Sequence, residues 1–243
     1  MTRLIYRVKE VFSTRQGEGL NLGVEAVFAR FAGCNLWSGH ADSRDKGAGS
    51  CAAFCDTDFA VGEGMSLRTL LARVAAVRGN ATLCVLTGGE PALQLDSALR
   101  RALHDAGLSV ALETNGTVAN DTLLTLDHLC VSPKLRRDGS GASTALVDRL
   151  AFDPGAFRGT RELKVVYPGG DGSEAAEEWS VEALKAYAAR APGWSACYLM
   201  PRDDAALPGD EHPGENVARC VHMLGSLPGW RLGVQAHKAW VLP

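Results

Sequence analysis

No run of eighteen consecutive apolar residues, the length a membrane-crossing helix needs, occurs anywhere in the 243 residues. Basic tracts are missing too: 25 Lys and Arg against 28 Asp and Glu leave a formal charge of −3. No stripe of positive charge marks a face for a phosphate backbone, which argues against a nucleic-acid partner. The first twelve residues, MTRLIYRVKEVF, carry neither the apolar stretch nor the small-residue cleavage site of a secretion signal. The expectation is therefore a cytoplasmic protein with no membrane partner, its thiols kept reduced. Repeats and linkers that would split the chain are also absent.

What is present is an ordinary globular composition, with 46% apolar and 22% charged residues. That amount of chain fits one α/β domain spanning 1–243. Seven cysteines, an odd number, do not make a disulfide framework. Cys84, Cys130, Cys197 and Cys220 sit inside apolar runs and read as small buried hydrophobes. Cys34, Cys51 and Cys55 do not, because they share the polar, glycine-rich stretch from Phe31 to Phe59. A tetrahedral zinc site would take a fourth ligand, for which His40 is at hand. Three thiolates without a fourth instead suit a cubane iron–sulfur cluster with one iron left open.

After an entry strand near Leu4 to Phe12, apolar strand-like runs recur seven times. They are Val24 to Phe31, Thr82 to Leu86, Leu108 to Leu112, His128 to Val131, Glu162 to Tyr167, Cys197 to Met200 and Trp230 to Gln235. Helical stretches lie between several of them. Ser66 is placed to cap one with Leu67, Leu70, Leu71, Val74 and Val77 as its apolar stripe, and Leu93 to Ala106 predicts another. Asp121 to Leu126 is a clipped unit, Ser180 caps a further helix, and Glu215 to Leu227 predicts the last. Arg136 to Ser143, rich in Gly, Ser, Asp and Arg, reads as a mobile loop. Strand alternating with helix argues for parallel strands joined by right-handed crossovers. In such sheets the carboxyl ends of the strands share one face, and here those ends carry Cys34, Gly88 to Glu90, Glu113 to Asn115, Ser132, Lys134, Arg202 to Asp204, Gln235 and His237.

Six motifs follow one another along the chain. They are Gln16-Gly17-Glu18-Gly19, the run Arg30-Phe31-Ala32-Gly33-Cys34-Asn35-Leu36-Trp37, Phe54-Cys55-Asp56-Thr57-Asp58-Phe59, Thr87-Gly88-Gly89-Glu90-Pro91, Glu113-Thr114-Asn115-Gly116-Thr117 and Ser132-Pro133-Lys134. With them the sequence resembles the radical S-adenosylmethionine enzymes and, among these, the 7-carboxy-7-deazaguanine synthases of queuosine biosynthesis. The usual cysteine spacing of the superfamily is three and two residues; here sixteen residues separate Cys34 from Cys51 and three separate Cys51 from Cys55. The insert Ser38 to Ser50 accounts for the first gap. Met200 stands where relatives often have Gln.

The resemblance implies a partial (β/α)6 barrel, the radical S-adenosylmethionine core. It also implies a lyase that contracts the ring of 6-carboxy-5,6,7,8-tetrahydropterin to 7-carboxy-7-deazaguanine with loss of ammonia. A 5′-deoxyadenosyl radical taking the C6 hydrogen would start that reaction. By the same resemblance Cys34, Cys51 and Cys55 hold a [4Fe-4S] cluster, Thr57 supports Mg²⁺, and Gly88, Gly89 and Glu90 hold the methionyl amino group of S-adenosylmethionine. Thr114, Ser132 and Lys134 are left between ribose, methionyl carboxylate and substrate. Arg30 would grip the pterin carboxylate, Gln16 and Glu18 its ring edge, with His237 and the terminal carboxylate of Pro243 further contacts. A homodimer and an electron donor such as flavodoxin or ferredoxin are implied as partners. Two other readings predict different chemistry: a small activase for a glycyl-radical enzyme, and a zinc-stabilised binding module built on Cys34, His40, Cys51 and Cys55.

Overall fold

The computed structural model describes residues 5–137, 143–146, 150–167, 180–191, 193–202 and 214–242. Its centre is a nine-stranded sheet. In chain order the strands are β1 (Ile5–Arg15), β2 (Glu25–Phe31), β3 (Glu63–Ser66), β4 (Leu83–Gly88), β5 (Ser109–Thr114) and β6 (His128–Val131), followed, after a small hairpin of β7 (Leu135–Arg137) and β8 (Ser143–Leu146), by β9 (Thr160–Tyr167), β10 (Ala196–Pro201) and β11 (Trp230–Leu232). Their spatial order is β11-β10-β9-β6-β5-β4-β2-β1-β3, with β7 and β8 pairing apart. From β2 to β11 all neighbours are parallel, while β1 lies antiparallel to β2 and β3 at the far edge. The first and last strands do not meet. The architecture is a partial, unclosed α/β barrel, as expected, and all seven predicted runs are its parallel strands.

Strand alternation decides what faces where. On β2, Val27, Ala29 and Phe31 join the core beneath the helices, whereas Ala26 and Phe28 face the concave side with Leu83 and Val85 of β4 and Ala111 of β5. Two residues further along each of these strands the concave positions turn polar, to Arg30, Thr87 and Glu113, and all three line the cavity. On these three strands the amino-terminal half of the concave face is thus an apolar plug and the carboxyl-terminal half a polar mouth.

Helices α1 (Leu67–Val77) and α2 (Ser97–Asp105) cover the first half of the sheet, burying Leu70, Val74, Leu99 and Leu103 against Phe31, Leu86 and Leu112. Helices α3 (Val181–Ala189) and α4 (Glu215–Leu224) cover the second, with Leu184 and Cys220 against Leu163, Val165 and Leu199. The predicted caps form: Ser66 accepts from the Thr69 amide and Ser180 from that of Ala183.

Four local features depart from the sequence reading. The stretch expected as one helix from Leu93 to Ala106 is a 3-10 turn, Pro91–Leu93, followed by α2, because Asp96 starts a new helix by accepting from the Leu99 amide. The interrupted carbonyls of Ala92 and Leu95 are taken up by the Asn120 side chain at 2.9 and 2.8 Å. Arg136, Arg137 and Ser143 belong to the β7–β8 hairpin rather than to a loop; 138–142 lie outside the described residues. Glu63–Ser66, too short and glycine-containing to stand out, adds an edge strand to β1. A short helix α5 (Ala236–Trp240) follows β11.

Asp96 has a second duty, since Tyr6, 2% exposed, donates its hydroxyl to the other carboxylate oxygen at 2.7 Å. One side chain therefore caps α2 and satisfies a buried phenol on β1. Asp96→Ala should lower the unfolding free energy by about 2–4 kcal/mol in a denaturant titration. Adding Tyr6→Phe should restore part of that loss, because it removes the orphaned hydroxyl.

Candidate active site

A cavity of about 480 Å³ opens at the carboxyl ends of the parallel strands, within the usual range for a small-molecule site. Three groups of residues build its wall.

The first is the thiol loop. Cys34, Cys51 and Cys55 all line the cavity, as do Thr57, Ser132 and Lys134. Cys34 follows β2 through Gly33, whose amide donates to Phe59 O at 3.0 Å and whose carbonyl accepts from the Glu90 amide at 2.9 Å. Burial raises all three thiols, that of Cys51 to about 11, while the Lys134 ammonium opposes the shift at Cys51 and Cys55. A bound cation or metal is what such thiols need in order to ionise. Among the described residues no three His, Cys, Asp or Glu side chains close on a point that could hold a single metal ion. His40 is exposed and off the cavity wall, so the four-ligand zinc arrangement does not assemble. Three thiols spread along one wall suit a larger group in which each binds a separate iron.

The second is the turn after β4. Gly88 has φ 124°, and a Cβ there would overlap the Phe31 backbone; one on Gly89 would overlap the Gly33 carbonyl. Glycine is required at both positions for the backbone to pass so close to the cysteine strand. Glu90 lies beneath the wall rather than on it. It is fully buried, and accepts from Thr114 Oγ1 at 2.7 Å, the Asn115 amide at 2.7 Å and the Ala92 amide at 3.0 Å. Burial still holds its carboxyl above the ordinary value, against those three hydrogen bonds. The Thr114 hydroxyl is thereby committed to Glu90 and also accepts from the Gly116 amide at 3.1 Å. Lys134 donates to Ser132 Oγ at 2.7 Å.

The third group is ionic. Lys164, on the concave face of β9 and almost inaccessible to solvent, pairs with Glu18 and lies 3.7 Å from Glu113. Glu18 accepts a further hydrogen bond from Gln235 at 3.0 Å, and Glu113 accepts from Gln16 at 3.1 Å and Thr87 at 3.0 Å. Burial works against each charge, but Lys164 and these donors keep Glu113 below its ordinary value, and the Cys130 sulfur together with Glu113 and Glu18 keeps Lys164 well above its own. One layer deeper, Glu162 accepts from the Leu20 amide at 2.7 Å and faces His128 at 3.3 Å, holding the Gln16–Gly19 loop from below. His237 lies against Gly17, where a side chain would collide with its ring, and the Ala236 amide donates to Gly17 O at 2.9 Å.

Most expected site residues therefore meet in one cavity: Gln16, Glu18, Arg30, Cys34, Cys51, Cys55, Thr57, Gly88, Gly89, Thr114, Ser132, Lys134 and His237 all line it. Arg30 pairs across the β1–β2 ladder with Glu10 at 2.7 Å and sits over the Phe12 ring. Met200 lines the cavity from β10 and is packed on Gly233. Pro243 lies outside the described residues. Lys164 was not singled out from the sequence. Its signal was there, two charged residues, Glu162 and Lys164, two positions apart in the otherwise apolar run Glu162 to Tyr167, and so on one face of it.

The chain is 37% identical over 244 residues to the 7-carboxy-7-deazaguanine synthase of Bradyrhizobium diazoefficiens, covering 96% of this chain and 97% of that one. To the 7-carboxy-7-deazaguanine synthase of Bordetella pertussis it is 37% identical over 249 residues, 99% and 100% of the two chains. Among solved structures it is similar to QueE from Escherichia coli, with TM-score 0.64 and 25% identity over 96% of this chain and 95% of that one. No family model matches the sequence.

Lys164→Met would leave two part-buried carboxylates facing each other without a cation, a loss of up to about 3 kcal/mol of stability at pH 7. The Glu113 contribution belongs to a carboxylate held below its ordinary 4.5, so it is present above pH 4.5 and fades as pH falls through the lowered value. The stability gap between wild type and variant should accordingly hold from pH 7 down to about pH 4.5 and narrow as pH falls below that. A gap that does not change with pH would show that Lys164 contributes packing alone.

Proposed function

Because the chain belongs to the 7-carboxy-7-deazaguanine synthase family of radical S-adenosylmethionine lyases, we propose that it converts 6-carboxy-5,6,7,8-tetrahydropterin to 7-carboxy-7-deazaguanine and ammonia. The observation that carries this reading is the single cavity with three thiols on one wall and a hydrogen-bonding set for a pterin on another. Cys34, Cys51 and Cys55 would hold a [4Fe-4S] cluster, and Gly88, Gly89, Ser132 and Lys134 would receive S-adenosylmethionine, with Glu90 bracing that turn from below. Once bound, the two cofactors supply a 5′-deoxyadenosyl radical able to take the pterin C6 hydrogen.

The chain's own residues orient the substrate. Glu18, paired with Lys164, and Glu113, held below its ordinary value beside the same ammonium, present acceptors to the N–H groups of a pterin edge, and the Gln16 amide joins them. His237 closes that end over Gly17. The Arg30 guanidinium, on the same wall, takes the substrate carboxylate and shares its charge with Glu10. Thr57 offers a hard oxygen for Mg²⁺, whose remaining ligands would be water and substrate oxygens. Thr114 acts in this scheme through Glu90, to which its hydroxyl is bound. A single domain, a homodimeric state, a cytoplasmic setting and a flavodoxin or ferredoxin as reductant complete the proposal, together with a terminal carboxylate of Pro243 near the substrate.

Reconstituted protein given S-adenosylmethionine, reductant and 6-carboxytetrahydropterin under anaerobic conditions should form 7-carboxy-7-deazaguanine, detected by mass, faster with Mg²⁺ than without. Cleavage of S-adenosylmethionine with the pterin left intact would reject the substrate and keep the cluster. Arg30→Ala should raise KM for the pterin by about 10- to 100-fold, the loss expected for a charged two-point contact, and Arg30→Lys should recover little of it.

A further inference from the structure

The insert from Ser38 to Ser50 lengthens the gap between Cys34 and Cys51 and supplies no residue to the proposed chemistry. It is nevertheless fastened to the thiol loop. The Gly49 amide donates to Leu36 O at 3.2 Å, and Gly47 lies so close to Ala52 that a Cβ there would crowd it. Ala52, between Cys51 and Cys55, is fully buried as a result.

Arg44 makes the strongest of these attachments. Its Nη1 donates to Ala52 O at 2.6 Å and its Nη2 to Cys55 O at 3.2 Å, while the guanidinium plane lies 4.7 Å over the Trp37 ring. Trp37 in turn meets Phe59 edge-on at 5.4 Å, in an apolar cluster against which Cys34 and Cys55 pack. Of the two carbonyls, that of Ala52 lies within, and that of Cys55 just beyond, a tight turn closed by the Phe54 amide on Cys51 O at 3.1 Å. One planar group thus spans the turn that separates the last two cysteines, and is itself clamped against an aromatic ring. Two charge-assisted hydrogen bonds in a fixed fork fix the distance between those carbonyls in a way that a single-point donor does not.

We propose that Arg44 is the positioning residue of the thiol loop, so that the insert is a splint which sets Cys51 and Cys55 in place across their three-residue spacing before any cluster is bound. It is neither a lid nor an idle loop. The proposal rests on the cluster reading only for its electronic consequence: a fixed cation bonded to the Cys55 carbonyl favours the state of a bound centre that has gained an electron.

Amide hydrogen exchange on the cluster-free protein tests the splint without any catalytic assay. In wild type the amides of 51–55 should be protected. In Arg44→Gln they should exchange at least about fivefold faster, which corresponds to ~1 kcal/mol of local stability, with β4 unchanged. Arg44→Lys should fall between the two. Wild-type exchange at the rate of an unstructured peptide, or Arg44→Gln exchange equal to wild type, would overturn the proposal. If β4 also loosens in Arg44→Gln, the comparison passes to Arg44→Lys, where faster exchange at 51–55 with β4 silent supports the splint and unchanged exchange defeats it. On reconstituted protein the midpoint potential should move more negative in Arg44→Gln and stay nearer wild type in Arg44→Lys; one potential shared by all three would reject the electronic role. A wild-type protein that takes up no cluster would sink the functional reading and leave the exchange result to decide the splint.

Discussion

The buried Lys164 ammonium is the charge on which the substrate half of the site depends. Its pairing with Glu18 and its closeness to Glu113 join the Gln16–Gly19 loop, β5 and β9, and Glu18 extends the connection to Gln235 beyond β11. Segments far apart in the chain are thus tied by one cation. Taken alone, each of these groups would be costly to bury. Together they compensate one another, and every oxygen of Glu18 and Glu113 finds a donor, which is how two acids are accommodated around one cation at the mouth of the barrel.

The thiol half is assembled by different means. Backbone contacts dominate there: Gly89 N to Phe31 O, Glu90 N to Gly33 O and Gly33 N to Phe59 O lock the turn after β4, the cysteine strand and the end of the thiol loop together. Glu90 adds a buried carboxylate that receives two backbone amides and the Thr114 hydroxyl. Side chains able to bind something are therefore carried on a frame whose own polar groups are already satisfied. Cations from outside the loop steady its rim, Lys238 on Asp56 at 2.8 Å and Lys9 on Asp58. Lone surface pairs of this kind are individually weak, so the backbone frame, not the rim, must set the geometry.

Much of this was legible in the sequence. The seven parallel strands, the Ser66 and Ser180 caps and the gathering of short motifs at strand ends follow from apolar periodicity and from the common polarity of a parallel sheet. What escaped had physical reasons. Lys164 looked like an ordinary residue of a mostly apolar strand, because a period-2 pattern shows its meaning only once the concave face is known. The break before α2 was hidden because Asp96 competes with helix continuation only when Asn120, distant in sequence, takes up the freed carbonyls. Arg30 was read as a grip on the substrate carboxylate; the β1–β2 register also pairs it with Glu10 and still leaves the residue on the cavity wall. Arg44 was invisible, since an arginine in a polar, glycine-rich insert carries no sign of the carbonyls it will meet.

The two halves also divide the cavity electrically. Around the thiols stand Lys134 and Arg44; around the proposed pterin edge stand Glu18, Glu113 and, beneath them, Glu162, with Lys164 offsetting part of their charge. In the proposed reading an anionic cluster and a methionyl carboxylate would sit at the first end, and a ring edge rich in N–H donors at the second. The same concave face supplies both because β2, β4 and β5 turn from apolar to polar at the same height, Phe28 to Arg30, Val85 to Thr87 and Ala111 to Glu113. Below that level these three strands form an apolar plug, and β6 and β9 contribute the buried His128–Glu162 pair, so that little water reaches the ion pairs from beneath. Moving the change of polarity by a single step of two residues along one strand would either flood Lys164 with solvent or bury an acid without its cation. The strands' binary pattern is therefore a constraint on the chemistry of the site as much as on the fold.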